Sequence, residues 1–384
     1  MRIFIYIIIF FSFFDLFSQL PIMSPLAKSL GATPFLIGLT VGMYSFSNTI
    51  GNVLSGFLTD KKGSYRLLVS GLLFTGMALS FYQLAMDAWT LLIIRFIHGL
   101  TAGLIVPAAF TYLANMTGKD KKGKTSAISG AFVGLAAIIG PAFSGILASQ
   151  TNESTVLTIT AIPIFLLGIL AFFFLRSTVI STSKADEGKR LPVRALFQNT
   201  SIMKSFFGAF FLMFSQGVLA YMLPLKVMDL GRDTQTSGTL LSTFGIVAVL
   251  VFLLPINQLF DRVKPIKTLT FGMSVMGVSL IFISFSTNVL LLYFIMGLYG
   301  IGFAFLFPSL NSLLIESTEQ ENRGKAYGYF YAFFSIGVVI GSSFTGLLRL
   351  TANGGFLYTG VLLAIVSFVM LFFKKQERSY LKNQ

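Results

Sequence analysis

Of the fourteen acidic residues in this 384-residue chain, Asp15 is the one that lies deep inside a long apolar stretch. A carboxylate at the centre of a membrane helix costs on the order of 2.5–3.5 kcal/mol on insertion scales, so such a residue ordinarily has a function and faces a cavity. Ser12, Asp15, Ser18 and Gln19 fall on one helical stripe, while Phe10, Phe13, Phe14 and Phe17 cover the other faces. A second apolar stretch carries Arg95 and the one histidine, His98. At 1.5 Å of rise per residue, Asp15 sits about 18 Å into a bilayer core of about 30 Å. On the same scale Arg95 and His98 fall at about 21 Å and about 16–17 Å. An acid, a guanidinium and an imidazole at one depth form a set suited to reversible proton binding, because burial and charged neighbours shift protonation in opposite senses. Asp15, Arg95 and His98 are therefore the candidate proton-coupling residues.

Other chemistries are poorly supplied. The chain has no Cys and one His, which removes disulfides, thiolate nucleophiles and multi-His metal sites. No nucleophile–His–acid set and no G-x-x-x-x-G-K-[ST] phosphate loop is present, so an enzyme is not expected. Neither a cofactor nor a metal is expected. A net charge of +14 would usually suggest nucleic acid, but the basic residues sit in short runs between apolar segments. That pattern encodes membrane topology, and no nucleic-acid partner is expected.

The elements that must position these groups are membrane helices. Hydrophobic residues make up 55% of the chain and charged residues 11%, with a mean hydropathy of +0.82. A soluble domain carries about 25% charged residues. Apolar runs predict twelve spans at about 3–26, 34–58, 66–86, 89–115, 125–149, 154–175, 203–228, 236–259, 266–285, 288–315, 324–349 and 354–373. The first run starts directly after Arg2 and lacks a small-residue cleavage site, which reads as a retained helix and not a signal peptide. With twelve spans, 23 of the 28 basic residues fall on the side of the termini and four on the other, with Arg95 inside a span. By the positive-inside rule both termini are cytoplasmic, in a multi-pass protein of the cell membrane.

The chain also repeats itself at an offset of 201 residues. Leu58, Asp60, Lys61 and Arg66 fall on Leu259, Asp261, Arg262 and Lys267, and Gly99, Pro107, Gly140 and Gly145 on Gly300, Pro308, Gly341 and Gly346. Parallel six-span repeats are a transporter design. The expected organisation is a six-helix half over 1–178, a cytoplasmic linker over 179–202, a second half over 203–375 and a tail over 376–384.

Three motifs carry a family resemblance. Gly56-Phe57-Leu58-Thr59-Asp60-Lys61-Lys62-Gly63-Ser64-Tyr65-Arg66 resembles the loop signature G-x-L-x-D-[RK]-x-G of the major facilitator superfamily. Leu91, Arg95, His98, Gly99 and Ala102 resemble its L-x-x-x-R-x-x-Q-G-x-x-A pattern, with His98 in the Gln place. Ala136, Gly140, Pro141, Ser144 and Gly145 resemble the antiporter signature G-x-x-x-G-P-x-x-G-G, with Ala136 and Ser144 replacing Gly. The resemblance implies an all-α integral membrane protein, the major facilitator fold of twelve transmembrane helices in two pseudo-symmetric six-helix halves. It also implies that spans one, four, seven and ten line a central cavity, to which Ser12, Gln19, Gln216, Tyr221 and Asn311 would contribute. Asp60, Lys61, Gly63 and Arg66, their repeats Asp261 and Arg262, and Gly140, Pro141 and Gly145 are the expected gating and conformational residues.

The leading expectation is a proton-coupled antiporter, powered by the proton gradient, that exports a small organic molecule by alternating access. Its substrate would be a drug-like amphipathic compound or a secreted metabolite such as a siderophore. An anionic chelator would favour a cavity dominated by Arg95, Lys28 or Lys226, and a lipophilic cation one dominated by Asp15. The alternatives are a proton-coupled importer of a sugar or other nutrient and, more remotely, a non-transporting receptor or scaffold. The expected partners are the substrate, protons and the bilayer, with a monomer sufficient because one chain encloses a whole pathway.

Overall fold

The computed structural model describes residues 2–116, 122–175, 193–253, 263–318 and 323–372. A few side chains near helix ends, those of Asp60 and Lys61 included, also lie outside the description, as do Asp261 and Arg262 entirely. Within it the chain is helical. The helices are α1 (Arg2–Ser18), α2 (Met23–Ser29), α3 (Pro34–Lys62), α4 (Ser64–Ser80), α5 (Ala88–Ala102), α6 (Ile105–Asn115), α7 (Lys122–Gln150) and α8 (Glu153–Phe174). They continue with α9 (Val193–Gln198), α10 (Thr200–Asp229), α11 (Thr234–Leu253), α12 (Pro265–Phe285), α13 (Val289–Glu316), α14 (Arg323–Leu347) and α15 (Ala352–Phe372).

Taking α1 with α2 and α5 with α6 as single passages, and leaving out the short α9, gives twelve among the described residues, matching the sequence expectation. Ten are long and apolar enough to cross a membrane, and the bent pair α1 and α2 makes an eleventh. The twelfth, α3, has 29 residues but carries Thr40, Ser45, Ser47, Asn48, Asn52 and Ser55. Its polar groups are tolerable because the helix is packed among others: Thr40, Ser47 and Ser55 are fully buried. Val193–Gln198 forms a short helix inside the segment expected to be linker.

The packing repeats as the sequence does. Span one packs on span five, two on four and three on six. Spans seven, eight and nine pack on eleven, ten and twelve in the same way. Between the halves, span two meets span eleven and span five meets span eight. Alternating passages place residues 2, 62–64 and 372 at one end, the terminal end, and residues 30–34, 84–88, 150–153, 229–234 and 347–352 at the far end.

Span one, expected as a single span over about 3–26, is not one continuous helix. It breaks between Ser18 and Met23 and bends by 48°. Ser18 Oγ and Gln19 Nε2 both donate to the Asp15 carbonyl, at 3.0 and 2.9 Å, and the next bonds shorten to i→i−3, from Leu20 N to Phe17 O and from Ile22 N to Gln19 O. Side chains that insert into the backbone ladder are a recognised cause of helix kinks.

Candidate functional site

The break in span one lies beside the ionisable groups of span four. Asp15 Oδ2 is 3.0 Å from His98 Nε2, and Asp15 Oδ1 accepts from Gln19 Nε2 at 2.8 Å. The other end of the Gln19 amide, Oε1, accepts from Arg95 Nη1. Arg95 also donates from Nε to the Thr40 carbonyl at 3.0 Å and from Nη2 to the Val41 carbonyl at 3.1 Å, both on span two. Its guanidinium lies 5.1 Å from the centre of the Tyr44 ring. Tyr82, in the turn that ends span three, places its hydroxyl 3.1 Å from His98 Nδ1. Asp15, Gln19, Arg95 and His98 are all at most 3% exposed.

Donor and acceptor chemistry fixes the orientations. A guanidinium only donates, so the Gln19 oxygen faces Arg95 and its NH2 faces Asp15. Against an ionised carboxylate, which only accepts, His98 would carry its hydrogen on Nε2 and Nδ1 would accept from the Tyr82 hydroxyl. The depth arithmetic thus brought together the three groups it should have, but their pairing differs from a simple acid–guanidinium contact. His98 is the direct partner of Asp15, and among the described residues no ion pair within 4.0 Å joins Asp15 to Arg95. Gln19 stands between them with both ends of its amide hydrogen-bonded.

The second half presents a neutral counterpart. The 201-residue offset carries Asp15 onto Gln216 and His98 onto Tyr299. Tyr299 Oη is 2.9 Å from Ser215 Oγ on span seven, and the Gln216 Nε2 atom is buried without a hydrogen-bond partner among the described residues. Gln216 is among the candidates the sequence offers, whereas Tyr299, Tyr44, Tyr82, Thr40 and Val41 are not; the same offset extended from Asp15 and His98 singles out the Gln216–Tyr299 position. Ser12 donates to the Ile8 carbonyl at 2.8 Å, and Asn311 Nδ2 to the Phe307 carbonyl at 3.0 Å; both are half-buried. Phe307 in turn packs against Phe303 and Phe334, an aromatic wall on spans ten and eleven. Tyr221 Oη reaches across the halves to the Pro34 carbonyl at 2.9 Å. Lys226 points away from the other half, to the Asn353 side chain and the Ser284 carbonyl, and Lys28 is exposed.

The expected gating residues occupy three kinds of place. Gly63 links α3 to α4 alone at φ 81°, a backbone region that a side chain would strain. Arg66 is exposed. Gly140 faces the break in span one: a Cβ there would stand 3.1 Å from Ser18 N and 3.3 Å from Phe14 O. Pro141 and Gly145 face the other half instead. A Cβ on Gly145 would be 2.7 Å from the Thr234 carbonyl oxygen, and one on Gly238 would be 2.2 Å from that of Pro141. The second seam is tighter: a Cβ on Gly38 would be 2.1 Å from the Ser342 oxygen and one on Gly346 2.3 Å from the Pro34 oxygen. Both seams lie toward the far end, so helix backbones close the structure there.

Residues 5–206 and 205–384 each match the model of the Major Facilitator Superfamily, so the two halves together account for nearly the whole chain. The chain belongs to the Major Facilitator Superfamily. Family membership makes it a multi-pass membrane transporter and not an enzyme. It is 28% identical over 315 residues to the multidrug resistance protein MdtG of Salmonella typhimurium, covering 79% of this chain and 76% of the relative. The MdtG of a Rahnella species is also 28% identical, over 79% and 74% of the two chains. Among solved structures, the nucleoside transporter NupG superposes with a TM-score of 0.78 at 15% identity, covering 97% of this chain and 99% of that one. A bacterial homolog of the human lysosomal transporter Spinster, inward-facing and occupied, gives 0.80 at 12% identity over 96% and 95%. These structural likenesses bear on the fold.

Proposed function

We propose that this transporter is a proton-coupled antiporter of the cell membrane that exports apolar or amphipathic organic molecules, with both termini cytoplasmic. The observation that carries the reading is the buried Asp15–His98 pair at mid-depth of span one. In the family's alternating-access cycle, such a pair exchanges protons with one side and then the other. The cargo class is supported by the multidrug resistance relatives and by the aromatic wall of Phe303, Phe307 and Phe334. On this reading the far end is the outer side, and the closure described above belongs to the inward-facing state.

His98 and Asp15 share the incoming proton. With the proton on the imidazole, Nδ1 turns donor, and the Tyr82 hydroxyl can accept as readily as it donates. One charge moving through 100 mV is worth about 2.3 kcal/mol, enough for an export ratio of several tens without any bound cofactor. Lipid vesicles containing the purified protein and a fluorescent amphipathic dye test this. An imposed pH gradient should drive dye against its concentration gradient, and Asp15→Asn should abolish that while leaving downhill dye exchange. Full gradient-driven transport by Asp15→Asn, or dye movement in the same direction as protons, rejects the reading. Comparing extracellular small molecules with and without the gene identifies the natural cargo.

A further inference from the structure

The far-end closure and the ionisable site are physically continuous through one segment. Between the break in span one and the third turn of span two, residues 19–42 form the stub α2, a short connection and the start of α3. This segment makes several contacts with the other half. Ser24 Oγ donates to the Ala220 carbonyl at 3.3 Å, the Pro34 carbonyl accepts from Tyr221 Oη, and Gly38 and Gly42 lie against Ser342 and Val339. The same segment is held to its own half by Gln19 at one end and by the two Arg95 bonds to Thr40 and Val41 at the other. Helix carbonyls in mid-span ordinarily serve only the backbone ladder, so two of them accepting from one guanidinium is a specific grip.

We propose that Gln19 is the residue that couples proton binding to opening: seated in the break of span one, it passes the charge state of Asp15, through Arg95, to the closure carried by residues 19–42. The proposal rests on the proton-coupled reading above and deepens it by naming the link. Its chemistry follows from the buried charges. When ionised, Asp15 compensates Arg95 across the Gln19 amide in the closed structure. The other groups near Asp15 are His98 on span four, Tyr44 on span two and Tyr82 at the end of span three; span five packs Phe143 against Phe14 and Gly140 against Phe17 and Ser18. A proton added to the Asp15–His98 pair leaves Arg95 as an uncompensated buried cation, which is costly away from water. Any new carboxyl O–H on Oδ1 also meets the Gln19 NH2 donor-to-donor, and turning the amide over would set that NH2 against Arg95. Either response loosens the Arg95 grip on span two and favours a state in which the far end opens to water. Linkage then requires acid to open the closure. Gln19 acts here as a positioning residue, through Asp15 and Arg95.

The absence of native Cys allows a direct test. Ser342→Cys, fully buried at the seam, is introduced into the protein in lipid nanodiscs and its labelling by a maleimide is followed at neutral and acidic pH. Rates are normalised to Ser149→Cys, an exposed site, which removes the intrinsic pH dependence of the thiol. Acid should raise the normalised rate about tenfold, and Gln19→Leu should reduce that response to under about twofold. Retention of the acid response in Gln19→Leu, with its loss in Asp15→Asn, overturns the coupling role and leaves the proton reading intact. Retention of both the acid response and gradient-driven transport in Asp15→Asn overturns the proton reading itself. Loss of dye binding with an intact acid response would make Gln19 a cargo contact and also overturns the proposal. Should Gln19→Leu not fold, Gln19→Glu keeps an oxygen for Arg95 but sets a second carboxyl beside Asp15. Its labelling transition should move to higher pH, and an unmoved transition counts against the proposal.

Discussion

Replacing Gly38 by alanine places a methyl carbon 2.1 Å from the Ser342 carbonyl oxygen and 2.8 Å from its carbon. Carbon and oxygen prefer a separation of about 3.5 Å, so spans two and eleven must part by roughly 1 Å. Neither neighbouring atom belongs to a flexible side chain that could rotate away. Overpacking of this kind costs about 1–3 kcal/mol. The cost falls only on the conformation in which the seam is closed, so the closed population relative to the open one should drop by about 5- to 150-fold. Labelling of Ser342→Cys in nanodiscs reads that population directly, and Gly38→Ala should accelerate it within that range at neutral pH. Thermal unfolding and gel filtration would verify that the variant remains folded. A folded Gly38→Ala protein that labels within twofold of its parent would show that this seam is not what closes the far end. In that case the Pro141–Gly238 seam would have to hold alone.

Three further outcomes follow from the same geometry. Arg95→Lys cannot satisfy Gln19, Thr40 and Val41 from one ammonium group, so it should lower stability by about 3–5 kcal/mol and abolish gradient-driven dye transport; wild-type melting and transport would contradict the assigned contacts. Gln216→Leu removes an amide nitrogen that has no partner among the described residues, and should alter the KM for dye while leaving the acid response of the labelling assay unchanged. Asp87 caps α5 by accepting from Thr90 N at 2.7 Å, and that backbone N–H, followed by the Thr90 hydroxyl, holds the carboxyl below its usual range. Its contribution is therefore present above the unfolded-state value of about 3.9 and fades as pH falls through the lower folded value. The melting-temperature gap between wild type and Asp87→Ala should accordingly narrow in acid, and a constant gap would disprove the capping account.

Much of the architecture was legible before any coordinates. Apolar runs of about 20 residues have one common solution in a bilayer, and the repeat at 201 residues implied two alike halves that the packing of spans one to six and seven to twelve reproduces. Span two, at about 34–58, was read with the other apolar runs although its polar residues weaken its signal. The ionisable site was half legible. Rise per residue is fixed in a helix, so Asp15, Arg95 and His98 could be set at one depth from spacing alone. Their rotation about the helix axes, and hence their partners, could not.

The chain order therefore determined which groups are expensive to bury and how far along each helix they stand. Packing alone decided that His98 faces Asp15, that Gln19 lies in a break and bridges to Arg95, and that Tyr82 approaches from a turn with no periodic signal. It likewise decided which glycine faces meet at the far end. The reason is that depth follows from one helix's own geometry, whereas a hydrogen-bond partner follows from how several helices turn and bend against one another, and that is settled only when all of them pack together.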